Sequence, residues 1–293
     1  MVTIGSILEA TFRFARANVR VIAIWSAVNL VVAIAMRILL QPVYQAQLAA
    51  IDAAAQGVAS TPPPMGMSFL IFVPMTLIFI VLYNAVFRAV LFPQESKAAY
   101  LRVGMDELRV LGLLVAMGVV ATVAIVLFGI LIGLVVGALA VVVSGAATLL
   151  AFLTAAGLWL FAIFVTVRLS LAAPLTVYRR QIVIGPAWRL TRGRFWTLFV
   201  AYLLLALGVG VIFLIYMFAT MAPMLSAMAH PGDIEAARQL AAMQAEQMRL
   251  TLSPLGIIEL LVGAAIGGIM LAIFAGLPAI ATAQLLDEQA GLQ

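Results

Sequence analysis

Residues 110–167 read VLGLLVAMGVVATVAIVLFGILIGLVVGALAVVVSGAATLLAFLTAAGLWLFAIFVTV and hold no charged side chain. As one helix these 58 residues would reach roughly 87 Å at about 1.5 Å per residue, nearly three times the ~30 Å of hydrocarbon in a bilayer. The segment therefore folds back as a helical hairpin. Gly137, Ser144 and Gly145 are the turn-forming residues in its least committed part, 137–145.

The same length criterion, about twenty apolar residues per crossing, picks out six spans along the chain: 21–40, 68–92, 110–137, 145–178, 195–228 and 254–286. Of the 293 residues 66% are hydrophobic and 9% charged, with a mean hydropathy of +1.23, whereas a soluble domain carries about 25% charged residues. That composition excludes a soluble enzyme, because one globule of this length cannot hide so much apolar surface. The expected fold is an all-α integral membrane protein: one polytopic domain over 1–293, with six transmembrane helices as three hairpins. The chain has no Cys and one His, so thiol chemistry and His-rich metal sites are excluded, and no cofactor or metal is expected.

The basic residues are distributed asymmetrically. Arg13, Arg16 and Arg20 precede the first span; Arg88, Lys97, Arg102 and Arg109 surround the second connection; Arg168, Arg179, Arg180, Arg189, Arg192 and Arg194 surround the fourth. Thirteen of the sixteen Lys and Arg thus fall on one side, against Arg37, Arg238 and Arg249 on the other. The positive-inside rule then places both termini in the cytoplasm and the chain in the cytoplasmic (inner) membrane, with outer loops at 41–67 and 229–253. The apolar run after the basic N-terminus is too long for a cleaved signal and lacks a small-residue cleavage site. Arginines facing anionic headgroups account for the net charge of +5 without a nucleic-acid partner.

A basic, aromatic segment precedes each odd-numbered span: Phe12-Arg13-Phe14-Ala15-Arg16, Tyr100-Leu101-Arg102 and Trp188-Arg189-Leu190-Thr191-Arg192. The even-numbered spans end with Arg88 and Pro93, with Arg168 and Pro174, and with Pro278 alone. Three degenerate copies follow, 1–93, 94–180 and 181–293, each an interfacial helix, a span, an outer loop and a span. Between 184 and 196, Pro186 suits a first helical turn, and a 100° step aligns Ile184, Trp188, Thr191 and Phe195 on one face of a cytoplasmic interfacial helix. It has two readings. As an anchor, Trp188, Arg189, Arg192, Arg194 and Trp196 seat the fifth span; as a binding surface, they meet anionic lipid or a cytoplasmic partner.

The stretch Arg168-Leu169-Ser170-Leu171-Ala172-Ala173-Pro174 and the stretch Ile184-Gly185-Pro186-Ala187-Trp188-Arg189-Leu190-Thr191-Arg192-Gly193-Arg194-Phe195-Trp196 resemble the membrane domain of glycerophosphoryl diester phosphodiesterases and its stand-alone bacterial relatives. The shared pattern runs from an Arg-x-Ser-x-x-x-Pro span end to an Ala-Trp-x-Leu-Thr-x-Gly segment before the next span. The resemblance implies a six-span membrane domain without the family's hydrolase barrel, whose histidines and metal-binding carboxylates have no counterpart in these residues. An acidic residue usual after the proline is absent, since 178–184 carries Arg179 and Arg180.

Few residues offer chemistry. His230 lies in His-Pro-Gly-Asp beside Asp233 and reads as a solvated turn, and Ser6, Ser96 and Ser226 have no neighbouring base. The pairs Asp106-Glu107 and Asp287-Glu288 read as solvated helix ends. Gly129, Gly133 and Gly137 in span three, and Gly263 with Gly267 in span six, recur every four residues. They suit close helix packing, within this chain or across a homo-oligomer seam. The polar groups within spans are Asn29, Arg37, Asn84, Arg88, Arg168 and Glu259. Arg37 and Glu259 are opposite charges near the outer boundary. Asn84 lies one turn from Arg88, at the level of Arg168, and no acid lies within those spans; the arginines either snorkel to the headgroups or bind a lipid phosphate together with Asn84.

The expected function is that of a non-catalytic membrane protein binding lipids or a membrane or cytoplasmic protein partner. The alternative is a transporter or translocator of a lipid or other amphiphile, with Pro74, Pro223 and Pro278 as helix breaks. A scaffold requires a lipid-facing groove and a dry interior, a transporter a polar cavity reached by Asn29 or Asn84.

Overall fold

The computed structural model describes residues 2–56, 65–142, 144–220, 238, 242 and 254–291, and secondary structure among them is helical. The helices are α1 (Ile4–Ala17), α2 (Val19–Ala55), α3 (Met65–Leu91), α4 (Met105–Val142), α5 (Ser144–Leu169), α6 (Ala172–Arg179), α7 (Gly185–Leu190), α8 (Phe195–Thr220) and α9 (Pro254–Gly291). α2, α3, α4, α5 and α9 each contain a stretch long and apolar enough to cross a membrane, and α8 begins with a shorter apolar run, Phe195–Val211. Ile125, Leu127, Leu131, Leu134, Trp159 and Leu160 of α4 and α5 are exposed, an arrangement that hydrocarbon tolerates and water does not.

The fold-back of 110–167 takes the form of α4 packed against α5. Both helices reach further into the connection than the turn residues suggest: α4 continues past Gly137 to Val142, and α5 starts at Ser144. An apolar, turn-poor segment lets each helix keep satisfying its own backbone, which in hydrocarbon outweighs the propensity cost of glycine. For the same reason α2 runs 37 residues through Pro42 into the region expected as outer loop, and α3 and α9 continue through Pro74 and Pro278. Pro223, His230 and the outer loop lie outside the described residues apart from Arg238 and Ala242. Both of these are helical, and Arg238 Nε lies 2.7 Å from Asp52 Oδ1.

The chain divides into two compact units. The first comprises Met1–Ile7, Asn84–Ala201 and Leu277–Gln293, and the second Leu8–Tyr83 and Tyr202–Gly276. In the second, Asn18 ends α1: its side-chain Nδ2 donates to the Phe14 carbonyl at 2.9 Å, and α2 begins at the next residue. α2 and α9 approach most closely at Gly268. A Cβ there would collide with Ser26 Oγ and lie 3.1 Å from Ser26 Cβ and 3.2 Å from the Ile22 carbonyl oxygen. Arg37 Nη2 and Glu259 Oε1 form an ion pair at 2.8 Å. Trp25, Ala272 and Ala275 are fully buried.

In the first unit Thr3 and Ser6 cap the start of α1 reciprocally, each backbone N–H donating to the other's hydroxyl at 3.0 and 3.1 Å. Ser6 also meets Gln284 of α9 through two hydrogen bonds of 3.2 Å. Arg194, placed among the anchor residues, instead pairs with Glu288 at 2.7 Å, and its Nη1 donates to the Val2 carbonyl at 3.5 Å. The Asp287-Glu288 pair is therefore not simply a solvated end, because α9 brings Glu288 to the start of α8. The interfacial helix expected from 184 to 196 is split. α7 stops at Leu190, Gly193 turns the chain at φ +79°, and α8 starts at Phe195. Pro186 does occupy the first turn of α7.

Candidate functional site

The two arginines proposed to act together have different surroundings. Arg88, near the C-terminus of α3, has a side chain 1% exposed. Its Nη2 pairs with Glu107 Oε1 and lies 3.7 Å from Asp106 Oδ2. Its Nη1 donates to the carbonyls of Tyr100 and Arg102 at 3.1 and 3.3 Å. The first turn of α4 thus supplies the acids that the spans lack. Glu107, read from sequence as a solvated helix end, has a side chain 8% exposed, and its Oε2 accepts from the Gly104 N–H at 2.8 Å. Asp106 is held as well, by Arg109 at 2.8 Å. With its charge and two of its nitrogens engaged, Arg88 is part of a buried ion cluster and not a snorkelling side chain.

An unusual turn makes this possible. Ala98, Ala99 and Tyr100 have φ of 49°, 53° and 63°, a left-handed run costing roughly 1–2 kcal/mol per residue for L-amino acids. It places the Tyr100 carbonyl toward Arg88, and the Tyr100 hydroxyl closes the loop by donating to the Pro93 carbonyl at 2.9 Å. The interfacial helix expected at Tyr100-Leu101-Arg102 is replaced by this turn. Capping a buried guanidinium with carbonyls offsets a strain that an ordinary helix would avoid. Asn84, one turn earlier on α3, is fully buried, and neither Nδ2 nor Oδ1 has a hydrogen-bond partner. The side-chain hydrogen bonds of Arg88 go to the α3–α4 connection and to Glu107, so Asn84 takes no part in its cluster.

Arg168, at the end of α5, carries no ion pair among the described residues and lies beside an edge-to-face pair of rings, Phe164 and Trp188, whose centroids are 5.9 Å apart. Its guanidinium carbon is 5.3 Å from the Phe164 ring centroid and 5.4 Å from that of Trp188. Nε and Nη1 are covered and have no acceptor. α7 is fastened to this point by Thr191, whose buried hydroxyl lies 3.2 Å from the Arg168 carbonyl and 3.2 and 3.0 Å from those of Ala187 and Trp188. Of the anchor residues, Trp188, Arg189, Arg192 and Trp196 are exposed.

A third feature was only half visible in the sequence. In the second unit a groove of about 380 Å³ opens between α2, α3 and α9. Asn29 and Tyr83 are its polar lining residues; Phe79, Met270 and Phe274 are among the apolar ones, and Gly263 and Gly267 belong to its wall. These glycines are not the close helix contact their spacing suggested. Among the described residues nothing stands within 4 Å of a Cβ at Gly263, and a Cβ at Gly267 meets the Asn29 side chain at ordinary contact distance, so their missing side chains border the groove. Among the described residues nothing lies within 4 Å of a Cβ at Gly129 or Gly133 either, and the surroundings of Gly137 lie outside the described residues. The tightest glycine contact among the described residues is at Gly268, next to Gly267 in the sequence.

No family model, curated protein or solved structure matches the chain.

Proposed function

We propose that the protein is a non-catalytic, lipid-binding protein of the cytoplasmic membrane, crossing it six times with both termini inside. The observation that carries this reading is the α2–α3–α9 groove. It is lined mainly by apolar residues and glycines, with one amide and one phenol, a composition suited to the chain of an amphiphile with a polar group near Asn29. The resemblance of 168–196 to a phosphodiesterase membrane domain rests on the sequence pattern alone. Membership of that family is part of the proposal.

The test is photo-cross-linking of the purified full-length protein with a phospholipid carrying a diazirine in its acyl chain. Cross-links are expected on peptides containing 79–83 and 263–271, and Gly263→Leu with Gly267→Leu, which fills the groove, should reduce them several-fold. Cross-links spread evenly along every apolar helix, unchanged in the filled variant, would remove the groove as a lipid site. Asn29 in the groove favours a second reading, a translocator of an amphiphile. Faster flipping of a fluorescent phospholipid in liposomes holding the protein, abolished in the filled variant, would support it.

A further inference from the structure

We propose that Arg168, seated beside the Phe164–Trp188 ring pair, is the binding point for a phosphate oxyanion, and that the phosphate belongs to the headgroup of an anionic lipid. The proposal rests on the lipid reading above only for the source of the phosphate, and it shares no residue with the groove.

The contrast with Arg88 carries the argument. Both arginines close an even-numbered span ahead of a proline. Arg88 is neutralised by Glu107 and Asp106 and capped by carbonyls. Arg168 forms no ion pair among the described residues and has the Phe164 and Trp188 rings beside it. Aromatic faces attract the cation and hold its plane, but they accept no conventional hydrogen bond from its edge and do not cancel its charge. Two of its nitrogens, Nε and Nη1, are covered without an acceptor, a costly state for charged donors. Nη2 is not among these covered nitrogens, which makes it the point where an oxyanion docks. A phosphate supplies the counter-charge that the rings do not, and the guanidinium stays charged to meet it when partly dehydrated.

The surroundings fit the same ligand. Residues 168–193 contain Arg168, Arg179, Arg180, Arg189 and Arg192 and no Asp or Glu. Arg179, Arg189 and Arg192 are exposed and form no ion pair among the described residues, while Arg180 faces Glu95 at 3.8 Å. α5 and α6 both pack against α7, which brings these cations to one region and repels other cations from it. Arg168 terminates an apolar helix, and Trp188 and Trp196 stand exposed nearby in the chain. That is where headgroups, more than free solution, supply phosphate.

The full-length protein in detergent is titrated with phosphatidylglycerol and with diacylglycerol of the same chains, and bound lipid is read by native mass spectrometry. The unmodified protein should prefer the phosphate-bearing lipid, and Arg168→Gln should reduce that preference roughly tenfold, the value of one charge-assisted hydrogen bond. Arg189→Gln should have a much smaller effect. Should Arg168→Gln fail to fold, Arg168→Lys and Trp188→Leu decide, since both keep the local charge and both should lower the preference. A folded Arg168 variant with the unmodified preference overturns the site. Displacement of the lipid by millimolar inorganic phosphate overturns the lipid source and assigns the site to free phosphate. The groove-filled variant should keep the headgroup preference while losing chain binding, so failure here is distinct from failure of the groove.

Discussion

Arg88 and Glu107 stand nineteen residues apart in sequence and form an ion pair with side chains 1% and 8% exposed. The pair joins the end of α3 to the first turn of α4 around a left-handed connection. Deleting one member of a buried pair leaves the other charged without compensation, a loss of about 3–5 kcal/mol, whereas replacing both with apolar groups is often neutral. Glu107→Gln should therefore lower the unfolding temperature in detergent substantially, and Arg88→Met with Glu107→Leu should recover much of it. Equal losses in the single and double variants would show that the pair does not act as a unit.

Gly268 and Ser26 define the α2–α9 contact. Gly268→Ala should cost about 1–3 kcal/mol through overpacking, since the new methyl meets Ser26 and the Ile22 carbonyl. Ser26→Gly should restore part of the loss by removing the atoms in the way. Gly129→Ala and Gly133→Ala, which open onto empty space, should leave the melting temperature unchanged or raise it slightly. A marked drop from either would reveal a close partner for that face, such as a second copy of the chain.

Thr191 fastens α7 to the end of α5 through a buried hydroxyl. Thr191→Val keeps the shape and removes the donor, so about 1–2 kcal/mol should be lost. Amide exchange of 185–194 should accelerate while that of α9 stays unchanged. Uniform acceleration through the protein would assign Thr191 to global stability instead of a local tether.

Topology can be tested against a background without native cysteine. On the proposed orientation, with both termini cytoplasmic, single cysteines at Gln56 and Gln244 should react with an impermeant thiol reagent in spheroplasts. Labelling only after lysis would reverse the orientation.

The all-α architecture was legible in the sequence because backbone groups in hydrocarbon must bond within their own segment, so an uncharged run of 58 residues could only become helices that fold back. The Arg37–Glu259 pair was legible too, as opposite charges at matching depth on different spans. The partner of Arg88 was not legible, because its acids lie outside the spans. Asp106 and Glu107 reach it only through the left-handed turn at Ala98, Ala99 and Tyr100, which no glycine announces. Glycine spacing showed which helix faces are smooth but not what stands opposite them, so Gly263 and Gly267 border a groove while Gly268 makes the contact. Between 184 and 196, helical periodicity persists through residues whose tertiary bonds interrupt the helix: Thr191 turns to the Arg168 carbonyl and Gly193 reverses the backbone. Local pattern determined which segments are helices, since that depends on the solvent each residue meets. The neighbours of each buried charge and each missing side chain were decided by contacts between distant segments, which only the folded chain brings together.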